Sequence, residues 1–255
     1  MTEPLVDIHM LSNFVHQIIN PLNGVLGTLD NVIDGTIPRE RTEQRLASVR
    51  AQLEHAVELI RNLAYLSQLS VTSGNEELRQ QRIQCLLPEI IISALQFYQE
   101  HGFTRGIKIR LTDSEGERLT DTEAQFMVPG HVALLRQVFM NIFENCVKYG
   151  DENSSINVTP REQRSTGDLL VEITGTGIGF APDEAERIFE LGYRGTNARK
   201  TVVAGSGIGL FICKKILTEV HEASIKAEHN PANRRTVFRI RFPKYVAKGV
   251  HAGAK

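Results

Sequence analysis

Between Leu11 and Leu63 the apolar residues fall on two heptad stripes with a single interruption, and that pattern leaves few folds open. Leu11, Val15, Ile18, Leu22, Val25, Leu29 and Val32 alternate at spacings of four and three, the narrow seam of a helix in a bundle. The run stops at DGTIPRE, where Gly35 and Pro38 supply turn chemistry. A second stripe follows at Leu46, Val49, Leu53, Ala56, Ile60 and Leu63. Two helices joined by a short turn make a hairpin, which cannot bury both seams alone. A homodimer that packs two copies as a four-helix bundle can. The alternative is that the hairpin packs on the rest of its own chain.

Beyond residue 70 the periodicity changes. VTSGNEELRQQ is polar, carries Gly74 and reads as a linker over 73–82. PEIIISALQFYQEHG predicts a helix ending at Gly102. IKIRLTD alternates as a half-exposed strand does, and AQFMVPG predicts another strand. HVALLRQVFMNIFENCVKYG is an amphipathic helix closed by Gly150. SSINVTP and DLLVEITG read as a strand pair, and RRTVFRIRFP as a final strand. Helices mixed with antiparallel-type strands make an α+β layer domain. The expected organisation is a dimerisation hairpin over 1–72, a linker, an α+β domain over 83–245 and a disordered tail over 246–255.

Composition narrows the function. A net charge of -1 gives no electrostatic footprint for nucleic acid or an anionic membrane. No apolar run approaches the ~20 residues that span a bilayer, and the N-terminus lacks a basic stretch followed by an apolar one. The expectation is a cytoplasmic chain. Cys85, Cys146 and Cys213 are far apart and in no metal-ligand spacing, so they read as small buried hydrophobes.

Three stretches carry chemistry. In FVHQIINPLNGV, His16 flanks the seam, and Asn20 lies one turn on along the same helix face, which Asn23 continues. A neutral imidazole leaves one nitrogen free for attack on phosphorus. Asn141, Asn145 and Lys148 recur on one face of the next amphipathic helix, where amides and a lysine suit a Mg-phosphate group. Gly177 and Gly179 in ITGTGIGF, then Gly205, Gly207 and Gly209 in GSGIGLFICKK, let backbone approach a ligand closely. The second run precedes a helical pattern, where backbone N–H groups make an anion site.

HQIINPL resembles the H-box of sensor histidine kinases, and LIRNLAYLSQL resembles the end of the second helix of their dimerisation domain. NIFENCVKYG resembles the N-box, ITGTGIG the first glycine box, FELGYRG the F-box and GSGIGL the second glycine box. In that order they span residues 16 to 210, nearly the whole chain. The resemblance implies an α/β-sandwich ATPase domain of the gyrase–chaperone–kinase superfamily, with ATP and Mg²⁺ bound.

By the same likeness His16 is the phospho-acceptor, and Asn20 positions water for phosphatase action on a response-regulator receiver domain. Asn145 binds Mg²⁺, Lys148 reaches phosphate, and Tyr149 lies beside the purine; Asn141 belongs to the same box. Phe189 packs the base of a lid from which Arg194 contacts phosphate. Gly205, Gly207, Gly209 and Leu210 form the second glycine box, and Thr236 lies near the adenine.

Two positions depart from the family. Gln17 stands where an acidic general base is usual, and such a base contributes ~10²–10⁴-fold. Gly175 stands where an Asp accepts a hydrogen bond from the adenine amino group. The expected function is ATP-dependent autophosphorylation of His16 and transfer to a response regulator. The alternatives are an ATP-weak pseudokinase acting as a phosphotransferase or scaffold, and a protein acting chiefly as a phosphatase.

Overall fold

The computed structural model describes residues 8–69, 72–103, 105–113, 115–116, 126–163, 165–201, 205–243 and 245–247. They fall into two compact units that divide between residues 71 and 72.

The first unit is a helical hairpin. Helix α1 (Ile8–Ile33) runs unbroken through Pro21, and α2 (Arg39–Leu69) follows. The turn closes with Asp34 N–H on the Asp30 carbonyl and Thr36 N–H on the Asn31 carbonyl, at 2.8 and 3.0 Å. Gly35 sits there at φ +69°, a backbone state costly for a residue with a Cβ. Val25, Val49 and Ala56 of the two stripes are buried. Val15, Leu46, Leu53 and Ile60, of the same stripes, stay between 41% and 50% exposed. The seam is thus half covered within one chain.

The second unit begins with a correction. Residues 73–82, expected as a linker, instead hold helix α3 (Thr72–Gln80). Asn75 Nδ2 donates to Glu219 Oε2 at 2.8 Å, Arg79 Nε donates to the Glu219 carbonyl, and Leu78 is buried. One buried apolar residue in nine gives no helical period to read, so polar contacts carried this element.

Strand β1 (Ile83–Leu86) leads into α4 (Leu87–Phe103), then β2 (Lys108–Leu111), β3 (Phe126–Gly130) and α5 (Val132–Tyr149). The hairpin β4 (Ser155–Gln163) and β5 (Asp168–Thr176) follows. After a short helix α6 (Thr196–Thr201) come α7 (Gly209–Lys215), β6 (Ser224–Asn230), β7 (Arg235–Phe242) and β8 (Val246–Ala247). Five strands form one sheet in the order β2-β4-β5-β7-β6, and β1-β3-β8 form a small second sheet. The sheet is not wholly antiparallel as expected, because β2 pairs with β4 in parallel. The chain between them crosses over through β3 and α5, as a parallel pair requires. The expected disordered tail is also corrected at its start: Val246 and Ala247 pair with Met127 and Phe126. Residues 248–255 lie outside the described residues.

Strands β2, β4 and β6 alternate in burial. Ile156, Val158, Val171, Ile173, Phe238 and Ile240 line the buried face, and Leu135, Val138, Phe139, Ile142 and Phe143 of α5 are buried as well. Each such side chain stabilises the fold by about 1.5–3 kcal/mol. The opposite face carries a ladder of ion pairs, Arg161–Glu172–Arg239–Glu228. Helices on one face and solvated charges on the other make the two-layer sandwich.

A buried imidazole fastens the start of α5. His221 Nε2 accepts from the His131 N–H at 3.0 Å, and Nδ1, 2.9 Å from the Ile216 carbonyl, donates to it. The backbone donor fixes the neutral tautomer. Burial, with lesser effects of Arg82 and His131, lowers the His221 pKa to about 4. The unfolded chain takes up this proton near pH 6.5 and the folded chain near pH 4. Stability from His221 is therefore full above pH 6.5 and is lost as pH falls towards 4, by up to about 3 kcal/mol. Urea midpoints at pH 7.5 and pH 4.5 check this against His221→Gln, whose loss over that window should be smaller. Equal losses in both proteins would assign the effect to other groups.

Candidate functional site

On the first unit His16 is exposed, with Asn20 exposed one turn further and Asn23 beyond it; Gln17 is half-buried. Pro21 has no N–H, so the Gln17 carbonyl receives no helical hydrogen bond from position 21. An exposed imidazole beside an exposed amide is a face that a partner can reach.

On the second unit the chemistry gathers at the C-terminal end of α5. Arg105 ties off that end, its Nη1 donating to the carbonyls of Val147 and Lys148 and its Nη2 to that of Gly150. A guanidinium there meets the last helical carbonyls and the negative end of the helix dipole. The chain leaving β5 closes on the same end: Ile178 N–H donates to the Tyr149 carbonyl at 3.1 Å, and Gly150 and Gly177 bridge. A Cβ at Gly177 would fall 2.2 Å from the Tyr149 carbonyl oxygen. Gly177 thus permits a close approach to this helix end.

Lys148, Tyr149 and Arg194 converge on Gly205. A Cβ there would lie 3.0 Å from Lys148 Nζ and 3.6 Å from both Arg194 Nε and Tyr149 Oη. Lys148 Nζ also lies over the Tyr149 ring, 5.6 Å from its centre. Burial lowers the Lys148 pKa; Glu144 opposes that shift and Arg194 adds to it. Burial raises the Tyr149 pKa, against the charge and hydrogen bond of Arg194. Two crowded, partly desolvated cations beside a glycine turn are arranged for a polyanion, which relieves their mutual repulsion.

The asparagines divide their work. Asn141, expected at the ligand, is 1% exposed; its Oδ1 accepts from Gln137 Nε2 and its Nδ2 donates to the Gly209 carbonyl. It ties α5 to the second glycine turn. Asn145 is half-buried, and its Nδ2 donates to the Asn141 carbonyl at 2.7 Å. Its Oδ1 is left as the acceptor suited to a hard cation.

Gly175 lies across from Thr236 in the strand ladder, and Thr236 across from His229. The three side-chain positions share one face of the sheet, and His229 Nδ1 is 2.9 Å from Thr236 Oγ1. Gly179, at φ +54°, would place a Cβ 2.1 Å from the His229 ring. That glycine too makes room for the protein itself. Phe189 is buried beneath Lys214, whose Nζ lies 5.7 Å from the ring centre. Leu210 lies in the first turn of α7 and is half-buried.

Sequence reasoning missed Arg105, His229 and Glu184. Nothing local marks Arg105 or His229, whose partners come from other turns of the chain; Glu184 has one local partner, the Ala181 N–H, and takes the rest from Tyr193 and Thr196.

Residues 130–246 match the family model "Histidine kinase-, DNA gyrase B-, and HSP90-like ATPase". The chain is 28% identical over 221 residues to the signal transduction histidine-protein kinase BaeS of Escherichia coli, covering 87% of this chain and 44% of BaeS. Across the leading curated relatives it spans 24% to 50% of their length. Among solved structures, the Acinetobacter baumannii histidine kinase AdeS aligns at TM-score 0.59 and 17% identity over 89% of this chain and 96% of AdeS. Histidine kinase ThkA in complex with response regulator protein TrrA aligns at 0.59 and 18% identity, over 93% of this chain and 61% of that one. These structural likenesses show the fold alone. No described helix is long and apolar enough to cross a membrane.

Proposed function

With residues 130–246 forming a histidine kinase-, gyrase B- and HSP90-like ATPase domain in a chain homologous to sensor histidine kinases, we propose that this protein is the catalytic core of a two-component histidine kinase. ATP binds the second unit, and His16 takes its γ-phosphoryl group. The group then passes to an aspartate of a response-regulator receiver domain. The observation that carries this reading is the meeting of Lys148, Arg194 and Tyr149 at the glycine turn that Asn141 anchors to α5.

The residues present fit Mg-ATP. Lys148 and Arg194 supply charge for phosphate, the former as a point charge and the latter as a fork. Asn145 Oδ1 would hold Mg²⁺, which would neutralise phosphate charge there and needs no all-protein cage. The Gly175–Thr236–His229 row takes the base end. Phosphoryl transfer asks mainly for positioning and charge neutralisation. The N–P bond forms at His16 as the bond from γ-phosphorus to the bridging oxygen breaks, and ADP leaves. Gln17 accepts a hydrogen bond but takes no proton at neutral pH, so the His16 proton leaves to solvent and the forward step is slow.

The exposed seam residues Val15, Leu46, Leu53 and Ile60 support a homodimer, two hairpins forming a four-helix bundle. ThkA, solved with a response regulator, supports a receiver-domain partner at the His16–Asn20 face, and Asn20 serves the reverse, phosphatase reaction there. The low net charge and the absence of a spanning helix among the described residues support a cytoplasmic site of action. The scaffold alternative is weaker, because the cation cluster is kept.

Incubation with Mg²⁺ and γ-labelled ATP tests the proposal. Label should enter an acid-labile bond on a particle of twice the 28.5 kDa chain mass, read by light scattering. No label on this chain or on Gly175→Asp would sink the kinase reading, and a monomer at all concentrations would sink the bundle.

A further inference from the structure

One buried carboxylate organises the segment between the two glycine turns, and the nucleotide reading leaves it without a task. Glu184 is 3% exposed and ends the 3₁₀ turn Pro182–Glu184. Its Oε2 accepts from the Ala181 N–H at 2.9 Å. Its Oε1 accepts from the Thr196 N–H and hydroxyl, both at 2.8 Å, and from the Tyr193 hydroxyl at 2.9 Å. Burial by itself would raise the carboxyl pKa, but these donors outweigh it and hold the group at about 2. A carboxylate has about four acceptor sites, so Glu184 is satisfied wholly by protein.

The residues it gathers flank Arg194. Arg199 Nε donates to the Arg194 carbonyl at 2.9 Å. The guanidinium carbons of Arg187 and Arg199 lie 4.5 and 5.9 Å from the Tyr193 ring centre. The same stretch is the bed of the second glycine turn. Gly192 N–H donates to the Gly207 carbonyl, and a Cβ at Gly207 would fall 2.6 Å from the Tyr193 carbonyl oxygen. Through Tyr193 and Thr196, Glu184 thus reaches both the segment that carries Arg194 and the turn that carries Gly205.

We propose that Glu184 is a positioning residue of the nucleotide site, gathering Ala181, Tyr193 and Thr196 so that Arg194 stands beside Lys148 and Tyr149 and the second glycine turn has its bed. The inference rests on the nucleotide reading of that cluster. It differs from simple stapling of a surface loop, because the worth of Arg194 to a ligand then depends on Glu184.

A double-mutant cycle reads that dependence. Mg-ATP binding is titrated on the full chain, on Arg194→Ala, on Glu184→Ala and on the double variant, and the set is repeated in the Gly175→Asp background. Loss of a charge-assisted contact makes Arg194→Ala cost about tenfold or more in affinity where Glu184 is present. The same change should cost less than about twofold where Glu184 is Ala, since Arg194 is then already displaced. Glu184→Gln keeps the side-chain shape and one oxygen, and should fall between the two. It also carries the cycle if the Ala variant does not fold. An equal cost of Arg194→Ala with and without Glu184 overturns the proposal and leaves ATP binding standing. Absence of Mg-ATP binding in every background, Gly175→Asp included, removes the nucleotide reading itself and this inference with it.

Discussion

His16→Ala is expected to abolish phosphoryl labelling of this chain by γ-labelled ATP while leaving Mg-ATP affinity unchanged. Among the histidines whose side chains the structure describes, His16 alone is exposed; His131 and His229 are half-buried and His221 is buried. The buried one is held neutral with both ring nitrogens engaged, so it offers no nucleophilic lone pair. An exposed helical residue replaced by alanine changes stability by no more than about 0.5 kcal/mol, so lost label cannot come from unfolding. Anion exchange after mild hydrolysis should place the phosphoryl group on a peptide containing residue 16. Label persisting in His16→Ala would take the acceptor role away from this residue and leave the Asn20 face as a docking surface only.

Gly175→Asp is expected to strengthen ATP binding by roughly 10- to 100-fold, the worth of a hydrogen bond of ~1.5–3 kcal/mol to a charged group. The structure leaves room for a Cβ there. A Cβ at 175 meets only Ile156 Cγ1 within 4 Å, at an ordinary 3.5 Å. The residue is also absent from the positive-φ set, so its backbone suits any L residue. On the same row, Thr236 Oγ1 and His229 Nδ1 orient each other at 2.9 Å, but a hydroxyl is a neutral acceptor and lacks the charge that a carboxylate would bring. Isothermal titration with Mg-ATP on both proteins checks the shift. Equal affinities would mean that the base end draws nothing from position 175.

The elements were legible in proportion to the length and regularity of their apolar pattern. Helices α1, α2 and α5 each repeat an apolar face over several turns, β4 alternates, and β5 and β7 are rich in β-branched and other apolar residues, so each is expected near its observed place. Helix α3 escaped because its one buried apolar residue is Leu78. Strand β6 escaped because SIKAEHN carries only Ile225 and Ala227 as buried apolar positions. β8 is two residues long and exists only because β3 offers an edge.

The glycines show the limit of motif reading. Their places in the boxes were legible, yet Gly177 and Gly179 make room for the Tyr149 carbonyl and the His229 ring. Asn141, a motif residue, spends its amide on Gln137 and Gly209.

By itself the amino-acid order determined what is periodic or contiguous: the two-helix hairpin, the α+β class of the remainder, the ordered boxes and the two places where they depart from the family, Gln17 and Gly175. Tertiary structure alone decided which side chains share a space. Lys148, Arg194 and Gly205 come from three separate segments, Arg105 reaches the end of α5 from before β2, and Glu184 collects donors from both sides of a turn. Those contacts depend on how the chain returns on itself, and a hydrogen bond extends about 3 Å in space whatever the separation along the chain.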